Sequence, residues 1–136
     1  MANKVLIVDD NPDSIMVLRT ILESKGFTVL SAGNSRQALE VMEGQIPDAV
    51  LLDVMMPELS GIDVLKRMRG NAATARVPVI LVTAKGQDED LLDGYQHGAD
   101  YYITKPCTAK QLLYGLSMVL GKPAAELPDE EPEDFA

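Results

Sequence analysis

The sequence predicts an α/β fold built on a parallel sheet. Three observations predict it. Five short apolar runs alternate with stretches of helical spacing. The runs are continuously apolar, as strands covered on both faces are, and do not alternate apolar with polar residues. The helical stretches open on capping residues or acids and mostly close on glycine. Five βα units in succession form a parallel sheet with right-handed crossovers.

The first run, residues 5–8, ends in Asp9-Asp10. A helix follows, with Asn11 as its cap, Pro12 in its first position, and Ile15, Leu18 and Leu22 at helical spacing. It stops at Gly26. The second run, residues 27–30, is shorter, and its helix starts near Asn34-Ser35 with Ala38, Leu39 and Met42 on one face. The third run, residues 50–52, leads into Asp53, and a helix begins near Ser60-Gly61 with Ile62, Leu65 and Met68. The fourth, residues 77–82, precedes Thr83 and carries Pro78 near its start, where a missing N–H is tolerated best. Its helix opens on Asp88, Glu89 and Asp90, acids suited to a helix N-terminus, and ends at Gly98. The fifth run, residues 101–103, leads into Thr104-Lys105-Pro106. The last helix follows Thr108, carries Leu112, Leu113, Leu116, Val119 and Leu120, and ends at Gly121.

The chain has 136 residues, of which 46% are hydrophobic, which is enough for one core and too little for two. One domain over residues 1–121 is expected, followed by an acidic, proline-containing tail or linker over 122–136, expected to be disordered. The net charge is −9, and six acids with no base lie in residues 123–136, which leaves −3 for residues 1–122. No basic stripe exists to meet phosphates, so nucleic-acid binding is not expected. There is no secretory signal layout and no apolar run of membrane-spanning length. Cys107 is the single cysteine, which excludes an internal disulfide. A cytoplasmic protein is expected.

In open α/β sheets the working site lies beyond the carboxyl ends of the strands. The polar residues there are Asp9, Asp10, Asp53, Thr83 and Lys105. Three carboxylates in one place repel each other unless a cation sits among them. Oxygen ligands point to a hard cation, Mg²⁺ before others. Thr83 offers a hydroxyl and Lys105 a compact positive charge. Carboxylate, metal, hydroxyl and ammonium together suit phosphoryl transfer to a carboxylate nucleophile.

Four segments carry a resemblance: Val8-Asp9-Asp10-Asn11-Pro12, Leu51-Leu52-Asp53-Val54-Met55-Met56-Pro57-Glu58-Leu59-Ser60-Gly61, Val82-Thr83-Ala84-Lys85, and Gly98 through Lys105-Pro106. Together, in this order and spacing, they resemble the receiver domains of bacterial two-component response regulators, over residues 3–121. The resemblance implies a doubly wound, flavodoxin-like (βα)5 sheet with strand order 2-1-3-4-5. It implies Asp53 as the phosphoacceptor. Asp10, Asp53 and the backbone carbonyl of Met55 would hold Mg²⁺ directly, with Asp9 acting through a metal-bound water. Lys105 would bind phosphoryl oxygens, and the Lys105–Pro106 peptide would be cis. Thr83 and Tyr102 would be the switch residues, and the face from the fourth helix to the fifth would change its affinity for partners. Met55 and Lys85 would influence how long the phosphoryl group lasts.

The implied partners are a histidine kinase or histidine phosphotransfer protein and an unknown downstream protein. The implied state is a monomer or a phosphorylation-dependent dimer. The implied role is signalling: self-phosphorylation from a donor and slow autodephosphorylation, not enzymatic turnover. No DNA-binding or enzymatic pattern follows residue 121, so a stand-alone receiver, or a unit cut from a longer protein, is expected. Tyr101 and Cys107 depart from the family pattern without touching the acceptor chemistry.

Other readings fit less well. An aspartate-nucleophile phosphatase would need a second aspartate where Met55 stands. A flavodoxin-like cofactor binder would need a glycine-rich phosphate loop, and Asp9-Asp10-Asn11-Pro12 is acidic instead. A phosphorylation-independent adaptor would have no need of the intact acceptor set.

Overall fold

The computed structural model describes residues 3–54, 60–84 and 96–121. In chain order these form β1 (Lys4–Val8), α1 (Pro12–Ser24), β2 (Thr28–Ala32), α2 (Ser35–Gly44), β3 (Ala49–Asp53), α3 (Gly61–Arg69), β4 (Val79–Ala84), β5 (Tyr101–Lys105) and α4 (Ala109–Leu120). Here α4 is the fifth helix of the sequence reading. The expected fourth helix, the tail over 122–136, Met55 and Lys85 lie outside the described residues.

The helices begin where the capping chemistry requires. Asn11 accepts from the Asp13 and Ser14 N–H groups at 2.8 and 3.4 Å, with Pro12 next in line. Asn34 accepts from Gln37 N–H at 2.9 Å. Ser60 with Asp63, and Thr108 with Gln111, form reciprocal capping boxes at the starts of α3 and α4. Each such cap stabilises its helix by roughly 1 kcal/mol. Gly26 and Gly121, which follow α1 and α4, have φ of 89° and 74°, a region that side chains other than glycine's disfavour.

All strand pairs are parallel, in the order β2-β1-β3-β4-β5. Alternate residues of each strand face opposite sides. On one side Leu6, Val8, Val50, Leu52, Val79 and Leu81 pack with Ala38 and Met42 of α2 and Ile62, Leu65 and Met68 of α3. On the other, Val5, Ile7, Leu51, Ile80, Val82 and Ile103 pack with Leu18 and Leu22 of α1 and Leu112, Leu113 and Leu116 of α4. The sheet is therefore doubly wound, as the resemblance implied.

All five strands differ from their apolar runs at one end or both, β2 and β4 most. β2 continues through Ser31 to Ala32 because its backbone pairs with β1 along its full length, while Phe27 is spent on the core. β4 starts only at Val79. Val77 N–H goes to Thr74 O at 3.1 Å, and Pro78, lacking an N–H, still accepts from Val50 N–H at 3.0 Å. Backbone pairing with β5 carries β4 on through Thr83 and Ala84. No helix among the described residues is long and apolar enough to cross a membrane.

Candidate functional site

The strand order reverses between β1 and β3. The chain goes from β1 outward to β2, then returns and proceeds outward on the other side through β4 to β5. Such a reversal leaves a crevice beyond the carboxyl ends of the two central strands. Asp9 and Asp10 follow β1, and Asp53 ends β3. Val8 pairs with Leu52, so the two carboxylate-bearing ends lie side by side. Register then places Val82 beside Asp53, Thr83 beside Thr104, and Ala84 beside Lys105.

The structure brings Asp9, Asp10 and Asp53 together, with one carboxylate oxygen of each within 4.8 Å of the others. Asp9 and Asp53 are buried, at 2% and 7% exposure, and Asp10 is open to solvent. The Lys105 ammonium donates to Asp9 Oδ2 at 2.8 Å and lies 3.5 Å from Asp53 Oδ2. Asp9 Oδ1 accepts from the Asn11 N–H at 2.9 Å. Three carboxylates against one ammonium leave an excess of negative charge in a mostly buried pocket. Like charges this close repel each other, and a cation among them would offset that repulsion. The donor set is all oxygen and one member faces water, which fits a hard divalent cation such as Mg²⁺.

Burial alone lowers the pKa of Lys105, but the hydrogen bond to Asp9 and the charges of Asp53 and Asp9 outweigh it. The ammonium is held above the ordinary lysine value. The residue therefore stays a cation at neutral pH. Thr83 is buried at 2% exposure near the end of β4. The Lys105–Pro106 peptide is cis. Tyr102 is 41% exposed, its ring 6.4 Å from that of Tyr101, and it borders a recess shared with Thr104, Lys110 and Tyr114.

Sequence reasoning missed how closely Gly61 approaches Asp53. Gly61 N–H donates to Val54 O at 3.1 Å, folding the start of α3 back against β3. A Cβ at Gly61 would overlap the Asp53 carbonyl oxygen and stand 3.0 Å from its carbon. The glycine beside Pro57-Glu58-Leu59-Ser60 was visible, but only the fold shows what it faces. Cys107 packs against the core beside α1, and burial pushes its thiol pKa up, as befits a packing residue.

A family model, the response regulator receiver domain, matches residues 5–117. The phosphate regulon transcriptional regulatory protein PhoB of Pseudomonas aeruginosa is 39% identical over 116 residues, covering 85% of this chain and 51% of PhoB. Protein PilH of the same organism is 38% identical over 117 residues, covering 86% of this chain and 97% of PilH. The crystal structure of the receiver domain of the sensor histidine kinase PA1611, also from Pseudomonas aeruginosa, has a magnesium ion coordinated in its active site cleft. It matches with a TM-score of 0.82 at 30% identity, over 90% of this chain and 100% of that one. The fold and the acidic crevice define a signalling domain of the doubly wound α/β class. The chain belongs to the response regulator receiver domain family of two-component signalling. It spans about half the length of PhoB and of other curated relatives it matches.

Proposed function

We propose that Asp53 is the phosphoacceptor of a two-component pathway, taking a phosphoryl group from a phosphohistidine of a kinase or phosphotransfer protein. The observation that carries this reading is the convergence of Asp9, Asp10, Asp53 and Lys105 on one crevice. An Asp53 carboxylate oxygen attacks phosphorus as the P–N bond to the donor imidazole breaks, and the electron pair returns to that nitrogen. The product is an acyl phosphate on Asp53 and a free histidine, so atoms and charge balance. Lys105 neutralises phosphoryl oxygens, and Thr83 supplies a hydroxyl donor to them. Asp9, Asp10, Asp53 and the Met55 carbonyl would hold Mg²⁺, which offsets the negative charge that otherwise keeps a phosphoryl donor away.

Output follows as a population shift. A phosphoryl group that draws Thr83 and Lys105 toward Asp53 favours an inward Tyr102 and a changed surface over the fourth helix, β5 and α4. Tyr102 lies three residues from Lys105 on the same strand, and its exposed ring supports a switch role. Cytoplasmic residence belongs to the same reading, since the phosphodonor is an intracellular kinase or its relay protein.

Intact-mass spectrometry after incubation with a small-molecule phosphodonor tests this. The wild type should gain one phosphoryl group only with Mg²⁺ present, and Asp53→Asn should gain none. A folded, Mg²⁺-binding wild type that gains nothing from a small donor or a histidine kinase would sink the proposal and leave a phosphorylation-independent adaptor.

A further inference from the structure

Lys105 can act at Asp53 only if β5 lies in the right register, and among the described residues β5 packs its side chains against the core only through Tyr101 and Ile103. It is the edge strand of the sheet described. Of its five side chains only Ile103 is buried, whereas all five of β3 are. Tyr101 and Ile103 meet α4 at Gly115, which has no side chain to interlock with them. Register is strongly specified where a strand buries a full face and weakly where it does not.

The far end of β5 is tied to its neighbours. Asp100, the residue before the strand, donates its N–H to Val79 O at 2.9 Å, and its Oδ2 accepts from Val79 N–H at 2.9 Å. This two-way link ties the start of β5 to the start of β4. Arg69, at the end of α3, completes it. Its Nη2 donates to the same Asp100 Oδ2 at 3.1 Å and to Gly98 O at 2.8 Å, its Nε to Gly98 O at 3.2 Å, and its Nη1 to Val77 O at 2.8 Å. One planar guanidinium thus joins α3, the entry to β4 and the entry to β5, a fork geometry that lysine cannot reproduce. Gly98 is shaped for the contact: its φ is 101°, and a Cβ there would meet Arg69 Nε at 2.9 Å.

We propose that Arg69 and Asp100 are positioning residues for Lys105, setting the register of β5 from the end opposite the acceptor crevice. A one-residue slip moves each residue by about 3.3 Å and turns its side chain to the other face. The 2.8 Å contact of Lys105 with Asp9 cannot survive that. The pair touches no reacting group and acts only through the strand.

The functional arm of the test rests on the phosphoacceptor reading, and the structural arm does not. Phosphorylation rates by a small donor with Mg²⁺ are compared for wild type, Asp100→Ala, Lys105→Ala and the double variant. Asp100→Ala should slow phosphorylation about tenfold or more, the cost of a misplaced catalytic group. In the Lys105→Ala background the same substitution should cost less than about twofold, because the group it positions is already gone. Asp100→Asn keeps an acceptor for Val79 N–H and should recover most of the rate. Equal slowing in both backgrounds, or none in either, overturns the proposal.

If the wild type takes no phosphoryl group, the acceptor reading has failed separately. The cross-strand proton contacts between Thr83 and Thr104, read by NMR in Asp100→Ala, then decide. Their loss supports the register role and their persistence overturns it. Should Asp100→Ala not fold, Arg69→Met enters both arms with the same expected directions.

Discussion

Lys105 is the residue on which the site's charge balance turns, and its protonation has a definite signature in stability. Its pKa in the folded chain is raised above the ordinary 10.5 by Asp9 and Asp53, despite the burial that lowers it. A raised folded-state value means the stabilisation is fully present below about 10.5 and is lost as pH rises through the folded value. Cys107 has the same sign for a different reason, since burial favours its neutral thiol. Its contribution begins to fall above about 9.0. Urea unfolding between neutral and strongly alkaline pH should therefore show Cys107→Ala losing less stability than wild type in the first part of that range. Lys105→Met should lose less in the later part. Parallel curves for wild type and both variants would contradict these environments. At this scale the sequence was informative: Asp9, Asp10, Asp53, Thr83 and Lys105 each announced themselves by following an apolar run. Gly61 did not, because a glycine's meaning lies in what its missing side chain would strike.

Among the elements, α3 and β3 are joined more tightly than any spacing in the sequence suggests. Gly61 N–H donates to Val54 O, and a Cβ at Gly61 would overlap the Asp53 carbonyl oxygen. Gly61→Ala forces that backbone apart and should destabilise the fold by about 2 kcal/mol or more, within the range of overpacked sites. Chemical denaturation checks this, and an unchanged midpoint would refute the close approach. On the phosphoacceptor role proposed for Asp53, the same substitution should also slow phosphorylation of the folded fraction, because Asp53 ends the strand it pushes on. The starts of the described helices were legible in outline, since Asn11, Asn34, Ser60 and Thr108 cap by local chemistry that needs no partner distant in sequence. Strand limits were not. β2 and β4 end where a neighbouring strand stops pairing with them, and the identity of that neighbour is not written in either run.

For the molecule as a whole, the acidic crevice concentrates like charge in one place. Asp9, Asp10 and Asp53 crowd within 4.8 Å with Lys105 against two of them. Removing one carboxylate in the absence of metal should relieve repulsion. In EDTA, Asp53→Asn is expected to melt higher than wild type by a few degrees, corresponding to about 1 kcal/mol. Millimolar Mg²⁺ should raise the wild-type melting temperature and shift the variant much less, as a ligand binding only the folded state does. Calorimetry with and without Mg²⁺ reads both. A variant less stable than wild type in EDTA would mean the Lys105 contact with Asp53 outweighs the carboxylate repulsion.

The sequence by itself determined the fold class, the helix starts, and which side chains gather at the carboxyl edge of the sheet. These depend on period, local capping and the direction of parallel strands, all of which are properties of short segments. Only the tertiary structure decided which of those side chains meet. Lys105 and Asp9 are separated by 96 positions and touch at 2.8 Å because β1, β3, β4 and β5 are laid side by side in one order and one register. The Arg69, Gly98 and Asp100 cluster arises in the same way, across 29 to 31 positions. A guanidinium at the end of a helix reads as a solvated charge until the backbone carbonyls that surround it are brought there by the fold.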